Sequence, residues 1–133
     1  MAAGLDQGKL ELQLPPVASS IAQARAAVDR LEALEQHPDG RFTVRLLVSE
    51  LITNAVKYGA GEHDARIRLA INVGVATVRV EIGDRGGGFP VRPVAMPGVE
   101  GESGRGLAFL DVLATRWGVL KNGESCVWFE LDL

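Results

Sequence analysis

Apolar and polar residues alternate at the start of the chain and then recur at helical spacing. Leucines alternate with polar residues over 9–14, and two prolines follow, which predicts a half-buried strand ended by the prolines. Ser20 and Gln23 form a capping-box pattern, which favours a helix start nearby. A first helix is predicted from Ala18 to about Gln36. Its apolar positions are Ile21, Ala24, Val28, Leu31 and Leu34.

A second stripe at helical spacing follows the sequence Pro-Asp-Gly at 38–40, which is expected to break the first helix. The stripe predicts a helix from about Arg41 to Tyr58, and Gly59 suits a left-handed stop after its last turn. The apolar face of this helix consists of Val44, Leu47, Val48, Leu51, Ala55 and Tyr58.

The second half of the chain contains two predicted hairpins separated by a glycine-rich stretch. Alternating runs at 65–73 and 76–84 predict the first hairpin. Residues 86–106 are rich in glycine and proline and have no hydrophobic period, so this stretch is expected to be functional, for example a lid. Helical spacing resumes in a third helix, and 117–133 predicts a closing hairpin with a turn at 121–124.

The predicted order of elements is βααββαββ, over one domain spanning 1–133. The helices do not alternate one by one with strands, so a Rossmann-type parallel sheet is disfavoured. The sequence therefore predicts an α+β fold, a two-layer α/β sandwich. Its sheet is expected to be mixed but mostly antiparallel, with three helices on one face.

Composition and charge exclude several classes of function. A net charge of −3 without basic runs disfavours nucleic acid or an anionic membrane as the main partner. No apolar run approaches the ~18–20 residues of a membrane span, and the first residues do not read as a signal peptide. The single cysteine, Cys126, excludes an internal disulfide. A cytoplasmic protein is expected.

Candidate chemistry begins on the second helix, in the run SELITNAVKYG at 49–59. Glu50 and Asn54 are four residues apart and share one helix face, and Lys57 follows on the same stripe. An amide oxygen can bind Mg²⁺ together with phosphate oxygens, and a carboxylate one turn away can accept a proton. The alternative is a solvated polar face without chemistry.

Two glycine-rich segments add to this picture. Asp84 ends an alternating run and precedes DRGGGFP, where Gly86 and Gly88 would let a ligand approach the backbone; the alternative is an ordinary loop. The second segment, Gly104-Arg105-Gly106, opens the third helix, where free N–H groups and a guanidinium would suit an anion; the alternative is a helix entry that needs small residues. It matches neither a Walker A loop nor a dinucleotide fingerprint.

Together, the three segments resemble the N box and the two glycine boxes of the GHKL, or Bergerat-fold, ATP-binding superfamily. SELITNAVKYG is similar to the N box, DRGGGFP to the first glycine box, and GRGL, which includes Leu107, to the second. The resemblance covers nearly the whole chain. A domain of this size is most similar to the anti-sigma factor serine/threonine kinases of bacteria.

The resemblance implies a role for each of these residues. It implies that Asn54 binds the Mg²⁺ that bridges the phosphates of ATP, with Lys57 near the phosphates, and that Glu50 is the general base. The remaining implied nucleotide-binding residues are Asp84 at the adenine amine with Gly86 and Gly88, Gly104, Arg105, Gly106 and Leu107 at the phosphates, and Cys126 on the final strand. The family commonly has a threonine there, and a thiol is a poor substitute for a hydroxyl donor.

The implied function is that of a switch enzyme. It would bind ATP or ADP, sequester a sigma factor, and phosphorylate a serine or threonine of an anti-sigma factor antagonist. The alternative is a nucleotide-dependent module that traps a regulator without catalysis or with slow hydrolysis. A detached histidine-kinase catalytic domain is a weaker alternative, because no helical segment with a phospho-accepting histidine is recognised. Formation of a homodimer stays open.

Overall fold

A hairpin of two long strands forms the centre of the sheet. In the computed structural model, which describes residues 8–59, 66–85, 102–121 and 125–133, β2 (Arg66–Val73) pairs antiparallel with β3 (Thr77–Arg85). The first strand, β1 (Lys9–Leu14), pairs with β2. The last strands, β4 (Arg116–Lys121) and β5 (Ser125–Asp132), form the closing hairpin, with β5 next to β3.

The five strands follow the order β1-β2-β3-β5-β4. Every pairing among the described residues is antiparallel, so the parallel component expected of a mixed sheet is not found there. Together with three α-helices, this sheet confirms the predicted α+β sandwich.

The helices are α1 (Ser19–Asp29), α2 (Pro38–Gly59) and α3 (Glu102–Leu113), with a short 3₁₀ turn at Glu32–Leu34. Helix α2 contacts β2, β3 and β5, while α1 and α3 pack against α2. The helix side of the sheet is buried because alternate strand residues are aliphatic or aromatic. These residues are Ile67, Leu69, Ile71, Val78, Val80, Ile82, Val127 and Phe129.

The first helix is shorter than its apolar spacing predicts. It ends at Asp29, because Leu31 has an extended backbone (φ −74°, ψ 108°) and the chain continues as the 3₁₀ turn. Leu31 and Leu34 are nevertheless buried, so the apolar spacing correctly indicates buried positions although the helix does not continue. The capping-box prediction is also wrong: Ser20 lies inside the helix, where its buried hydroxyl donates to the Pro15 carbonyl at 2.6 Å.

The Pro-Asp-Gly sequence begins α2 and does not precede it. Pro38 suits the first helical turn because its nitrogen needs no partner there, and Asp39 places a negative charge at the positive end of the helix. Gly40 has a packing role: a Cβ at this position would lie 2.7 Å from Cδ2 of Leu133. The glycine therefore allows the last residue of the chain to contact the first turn of α2.

The sheet face opposite the helices carries a network of alternating charges. Arg79 bonds Glu81 (3.1 Å) and Glu130 (3.0 Å), and Arg116 bonds Glu130 (2.8 Å) and Asp132 (2.6 Å). These hydrogen bonds, first from Arg116 and then from Arg79, lower the pKa of the Glu130 carboxyl. We call this surface the open face.

A tryptophan lies within the open face. The Arg79 guanidinium carbon is 4.4 Å from the centre of the Trp128 ring, a cation–π distance. On its other side the indole lies against Gly118, where a Cβ would be 2.8 Å from the indole nitrogen. Trp117 precedes Gly118 on β4 and packs against the core on the other face of the sheet. Its Nε1 lies 3.5 Å from Oδ1 of Asp111 on α3. Both tryptophans are half-buried.

Candidate functional site

Helix α2 presents a polar stripe away from its buried side. It is continuous through Glu50, Asn54 and Lys57, as the sequence predicts, so the three positions share one face. Glu50 and Asn54 are half-buried and Lys57 is exposed. The opposite side of this stretch is fully packed by Val48, Leu51, Ile52 and Ala55. The stripe is therefore held on a rigid element, with an acid and an amide one turn apart.

A contact that the sequence did not predict lies directly beside this stripe. The guanidinium of Arg25 on α1 donates from Nε and Nη2 to the hydroxyl oxygen of Ser49, at 3.0 and 2.9 Å. Ser49 is buried and precedes Glu50, and its carbonyl accepts a hydrogen bond from the Thr53 hydroxyl at 2.6 Å. The two contacting residues are 24 positions apart. No local pattern points to such a contact, so it could be found only from the packing of the two helices.

Asp84 lies near the end of β3, as expected from the alternation of its strand. Its Cα pairs with Ser125 on β5 and with Ile67 on β2. The side chains of Asp84 and Ser125 lie outside the described part of the structure, as do Gly86 and Gly88. Counting by two from Ile82 on β3 reaches position 84, and from Val127 on β5 reaches position 125. Both backbone positions therefore belong to the helix-side set of the sheet.

Cys126 belongs to the strand positions on the opposite face of the sheet, away from the helices. Its Cα pairs with Gly83 on β3 and with Leu120 on β4, and it alternates with the core residue Val127. The thiol is buried and free of any disulfide, with its sulfur 3.7 Å from the Val127 carbonyl oxygen. The strand register thus separates Cys126 from position 84 and places Ser125 directly opposite it.

The second glycine segment lies within α3. The sequence predicts that Gly104-Arg105-Gly106 opens this helix, whereas the helix begins at Glu102 and includes Leu107. These residues therefore occupy the first turns, where the leading backbone N–H groups of a helix have no intrahelical partner. Their side chains and the preceding residues 86–101, which include most of the expected lid, lie outside the described part.

The fold brings the elements that carry these positions together. Helix α2 contacts β3 and α3, and β3 pairs with β5. The amide of Asn54 offers the oxygen ligand that Mg²⁺ prefers, and the adjacent α3 offers the start of a helix, so the chemistry of the donor set fits a magnesium–phosphate group. Within the described ranges, no group of three His, Cys, Asp or Glu residues could hold a metal ion by itself.

Comparison with known proteins agrees with this arrangement. The family model of the histidine kinase-like ATPase domain matches residues 14–131, from the end of β1 to the end of β5. No curated protein matches the chain. Among the described helices, none combines the length and the apolar character that crossing a membrane requires.

Proposed function

The chain belongs to the histidine kinase-like ATPase domain family, and on that premise we propose that it is an ATP-dependent protein serine/threonine kinase of the anti-sigma factor type. It binds ATP with Mg²⁺, phosphorylates a serine or threonine of an anti-sigma factor antagonist, and sequesters a sigma factor. The observation that carries the proposal is that half-buried Glu50 and Asn54 lie one turn apart on α2, a helix that contacts α3.

In this proposal, different residues of the polar stripe on α2 hold the metal ion and accept the proton. The Asn54 amide oxygen would hold the Mg²⁺, which neutralises phosphate charge when bound, and Lys57 lies one turn further, near the phosphates. Glu50 would accept the proton of the attacking hydroxyl. The hydroxyl oxygen then forms a bond to the γ-phosphorus, the bond from that phosphorus to the bridging oxygen breaks, and ADP leaves.

The other elements of the site would supply the remaining contacts to the nucleotide. Asp84 would accept a hydrogen bond from the adenine amine, with Gly86 and Gly88 beside it. Gly104, Arg105, Gly106 and Leu107 would hold the phosphates at the start of α3. The strand register supports a change at one position: Ser125, which pairs with Asp84, is a better candidate for the adenine-side hydroxyl than Cys126, which pairs with Gly83.

The proposal also includes the domain organisation, the compartment and the kinds of partner. It is one domain over 1–133, acts in the cytoplasm, and binds its protein partners without direct contact to nucleic acid or membrane. The net charge of −3 supports the last point, because nucleic-acid affinity comes mainly from neutralising phosphates with lysine and arginine.

A transfer assay tests the proposal. The purified chain is incubated with γ-labelled ATP, Mg²⁺ and each small antagonist protein and sigma factor of the same genome in turn. Label on a serine or threonine of one antagonist supports the kinase. ATP-dependent binding of a partner without any transfer of label indicates the alternative, a nucleotide-dependent trap. A chain that binds no ATP would overturn both.

A further inference from the structure

One row of strand positions crosses the sheet at the end where β3 carries Asp84. The row places one Cα position of each strand side by side, in the order Leu14, Ile67, Asp84, Ser125 and Lys121. Positions that pair directly lie on the same face of a sheet. Position 121 therefore belongs to the helix-side set, together with the core residue Ile67.

The chemistry of this row changes from one edge of the sheet to the other. Leu14 and Ile67 are buried, so the row begins with an apolar surface on β1 and β2. The residue types that follow are a carboxylate, a hydroxyl and an ammonium group, at positions 84, 125 and 121. A nucleotide has a matching order, with a flat base that carries an amine, a ribose with hydroxyls, and anionic phosphates. The row therefore suits a nucleotide whose base lies toward β2 and β3 and whose phosphates lie toward β4.

The end of β4 lies toward the start of α3. A connection of two residues, 114–115, joins α3 to β4, and the two elements contact each other. Trp117, near the beginning of the strand, lies beside Asp111, near the end of the helix, so the strand runs back along the helix. The strand spans about 17 Å, and the helix from its last residue back to position 104 spans about 14 Å. Lys121 is thus at the same end of the molecule as the first turns of α3, where the phosphates are proposed to bind.

The described helices leave this end of β4 uncovered. On the helix side, Ile82 and Val127 are 1% and 3% exposed, whereas Val119, which pairs with Val127, is 40% exposed. Trp117, two positions earlier on the same strand, is half-buried. Coverage by the described helices therefore decreases along β4 toward Lys121. A ligand held between α2, α3 and the sheet could reach position 121.

We propose that Lys121 is a further nucleotide-binding residue, whose ammonium group binds the phosphates from the side of β4. The inference rests on the proposed function, because it needs a nucleotide in the site. Lysine is a point charge on a long flexible stem, which suits a phosphate approached from an edge strand. Together with Lys57 on α2 and Arg105 on α3, it would surround the phosphates with a cation from each of three elements.

The competing arrangement is a direct ion pair between Lys121 and Asp84. Their Cα positions are two strand spacings apart, about 9–10 Å, with Ser125 between them. Such a pair would occupy the carboxylate that is proposed to accept from the adenine amine. Loss of Lys121 would then change the binding of every adenine compound, with or without phosphate. If Lys121 binds phosphates, its loss matters only for ligands that carry them.

A pair of ligands separates these arrangements. Adenosine and ADP are titrated by calorimetry into the wild-type chain and into Lys121→Met, which keeps an unbranched stem without the charge. Lys121→Met is expected to bind ADP about tenfold or more weakly, because a charge-assisted contact is lost, and to bind adenosine as the wild type does. Lys121→Arg keeps the charge and should retain most of the ADP affinity. The control Lys9→Met removes an exposed lysine on the open face and should change neither affinity.

The outcomes distinguish this inference from the proposed function. A wild-type chain that binds neither ligand would overturn the proposed function and the role of Lys121 with it. Unchanged ADP affinity in Lys121→Met would overturn the role of Lys121 alone. An equal loss of adenosine and ADP affinity would also overturn it, because the contact would then involve the base or Asp84. Circular dichroism of each variant shows whether the fold is intact.

Lysine labelling tests the same contact without a substitution. The chain has three lysines, Lys9, Lys57 and Lys121. An amine-acetylating reagent modifies each of them at a rate that mass spectrometry of the peptides measures. Saturating ADP should slow acetylation of Lys57 and Lys121 and leave Lys9 unchanged, whereas adenosine should slow none of them. Slowing at Lys57 without slowing at Lys121 would support the proposed site and overturn the role of Lys121, and no slowing at either would overturn both.

Discussion

Arg25 donates two hydrogen bonds to the hydroxyl of Ser49, the residue directly before the proposed base Glu50. The two partners are not equivalent, since Arg25 is exposed and Ser49 is buried. Loss of the arginine leaves a buried hydroxyl without this partner, whereas loss of the hydroxyl lets the guanidinium turn to water.

Arg25→Met should therefore lower the free energy of unfolding by about 1 kcal/mol, and Ser49→Ala by less. Urea denaturation measures both. The matched control is Arg30→Met, which removes an exposed arginine for which the described structure shows no side-chain hydrogen bond. Equal losses for Arg25→Met and Arg30→Met would show that the contact does not stabilise the helix pair.

Glu50→Gln separates a kinase from a trap. Glutamine keeps the shape and can still form hydrogen bonds, so ATP affinity should stay near the wild-type value. Phosphate transfer should fall by about 10²–10⁴-fold, the usual contribution of a positioned base. Because phosphoryl transfer depends mainly on positioning and charge, the lower end is expected. A variant that phosphorylates its partner at the wild-type rate would refute the role of Glu50.

Asn54→Ala should remove the dependence of ATP binding on Mg²⁺. Among the residues of the polar stripe, Asn54 alone carries an amide, so no neighbour can replace its oxygen ligand. Calorimetry with and without Mg²⁺ measures the effect, and Thr53→Ala on the same exposed side is the control. Unchanged Mg²⁺-dependent affinity in Asn54→Ala would exclude this residue as the metal ligand.

The strand register predicts different effects at two adjacent positions. Ser125→Ala should weaken ATP binding because position 125 pairs with Asp84, whereas Cys126→Ala should leave affinity unchanged because position 126 pairs with Gly83. Wild-type protein should prefer ATP to GTP, since a carboxylate accepts from the adenine amine but opposes the guanine carbonyl, and Asp84→Asn should lose this preference. Nucleotide titrations test all three, and a larger effect at 126 than at 125 would contradict the register-based choice.

The open face should make stability depend on pH below the ordinary carboxyl range. Arg116 and Arg79 lower the pKa of Glu130 from its usual 4.5. The contribution of this carboxylate is therefore present above pH 4.5 and is lost as the pH falls through the lower folded-state pKa. Unfolding free energies measured across this range should show a smaller slope in Glu130→Gln than in wild type. Glu32→Gln, which removes an exposed carboxylate outside this network, is measured beside it as the matched variant.

The order and type of the elements could be predicted because alternation and helical spacing are strong local signals. The boundaries could not, for reasons visible at particular residues. Leu31 and Leu34 continued the apolar spacing although the chain leaves the helix after Asp29. The local sequence predicts a helix break at Gly40, whereas this glycine lies in the first turn of α2 and leaves room for the Leu133 side chain.

In the candidate site, too, some positions could be predicted from the sequence and others could not. Glu50 and Asn54 could be predicted as neighbours because both lie on one helix, where spacing determines the face. The choice between Ser125 and Cys126 could not, because a shift of one residue in strand register moves a position to the other face. The contact between Arg25 and Ser49 depends on how α1 packs against α2, which no local pattern encodes.

The two tryptophans of the chain lie on opposite faces of one sheet, and this gives the protein two separate optical reporters. Trp117 contacts Asp111 on α3, the helix that carries the second glycine segment. Trp128 is stacked beneath Arg79 on the charged side. Emission from the first therefore reports on the neighbourhood of α3, the helix proposed to hold the phosphates, and emission from the second reports on the ionic state of the open face. When either tryptophan is replaced by phenylalanine, the tryptophan fluorescence comes from the other one alone and reports on one face of the sheet.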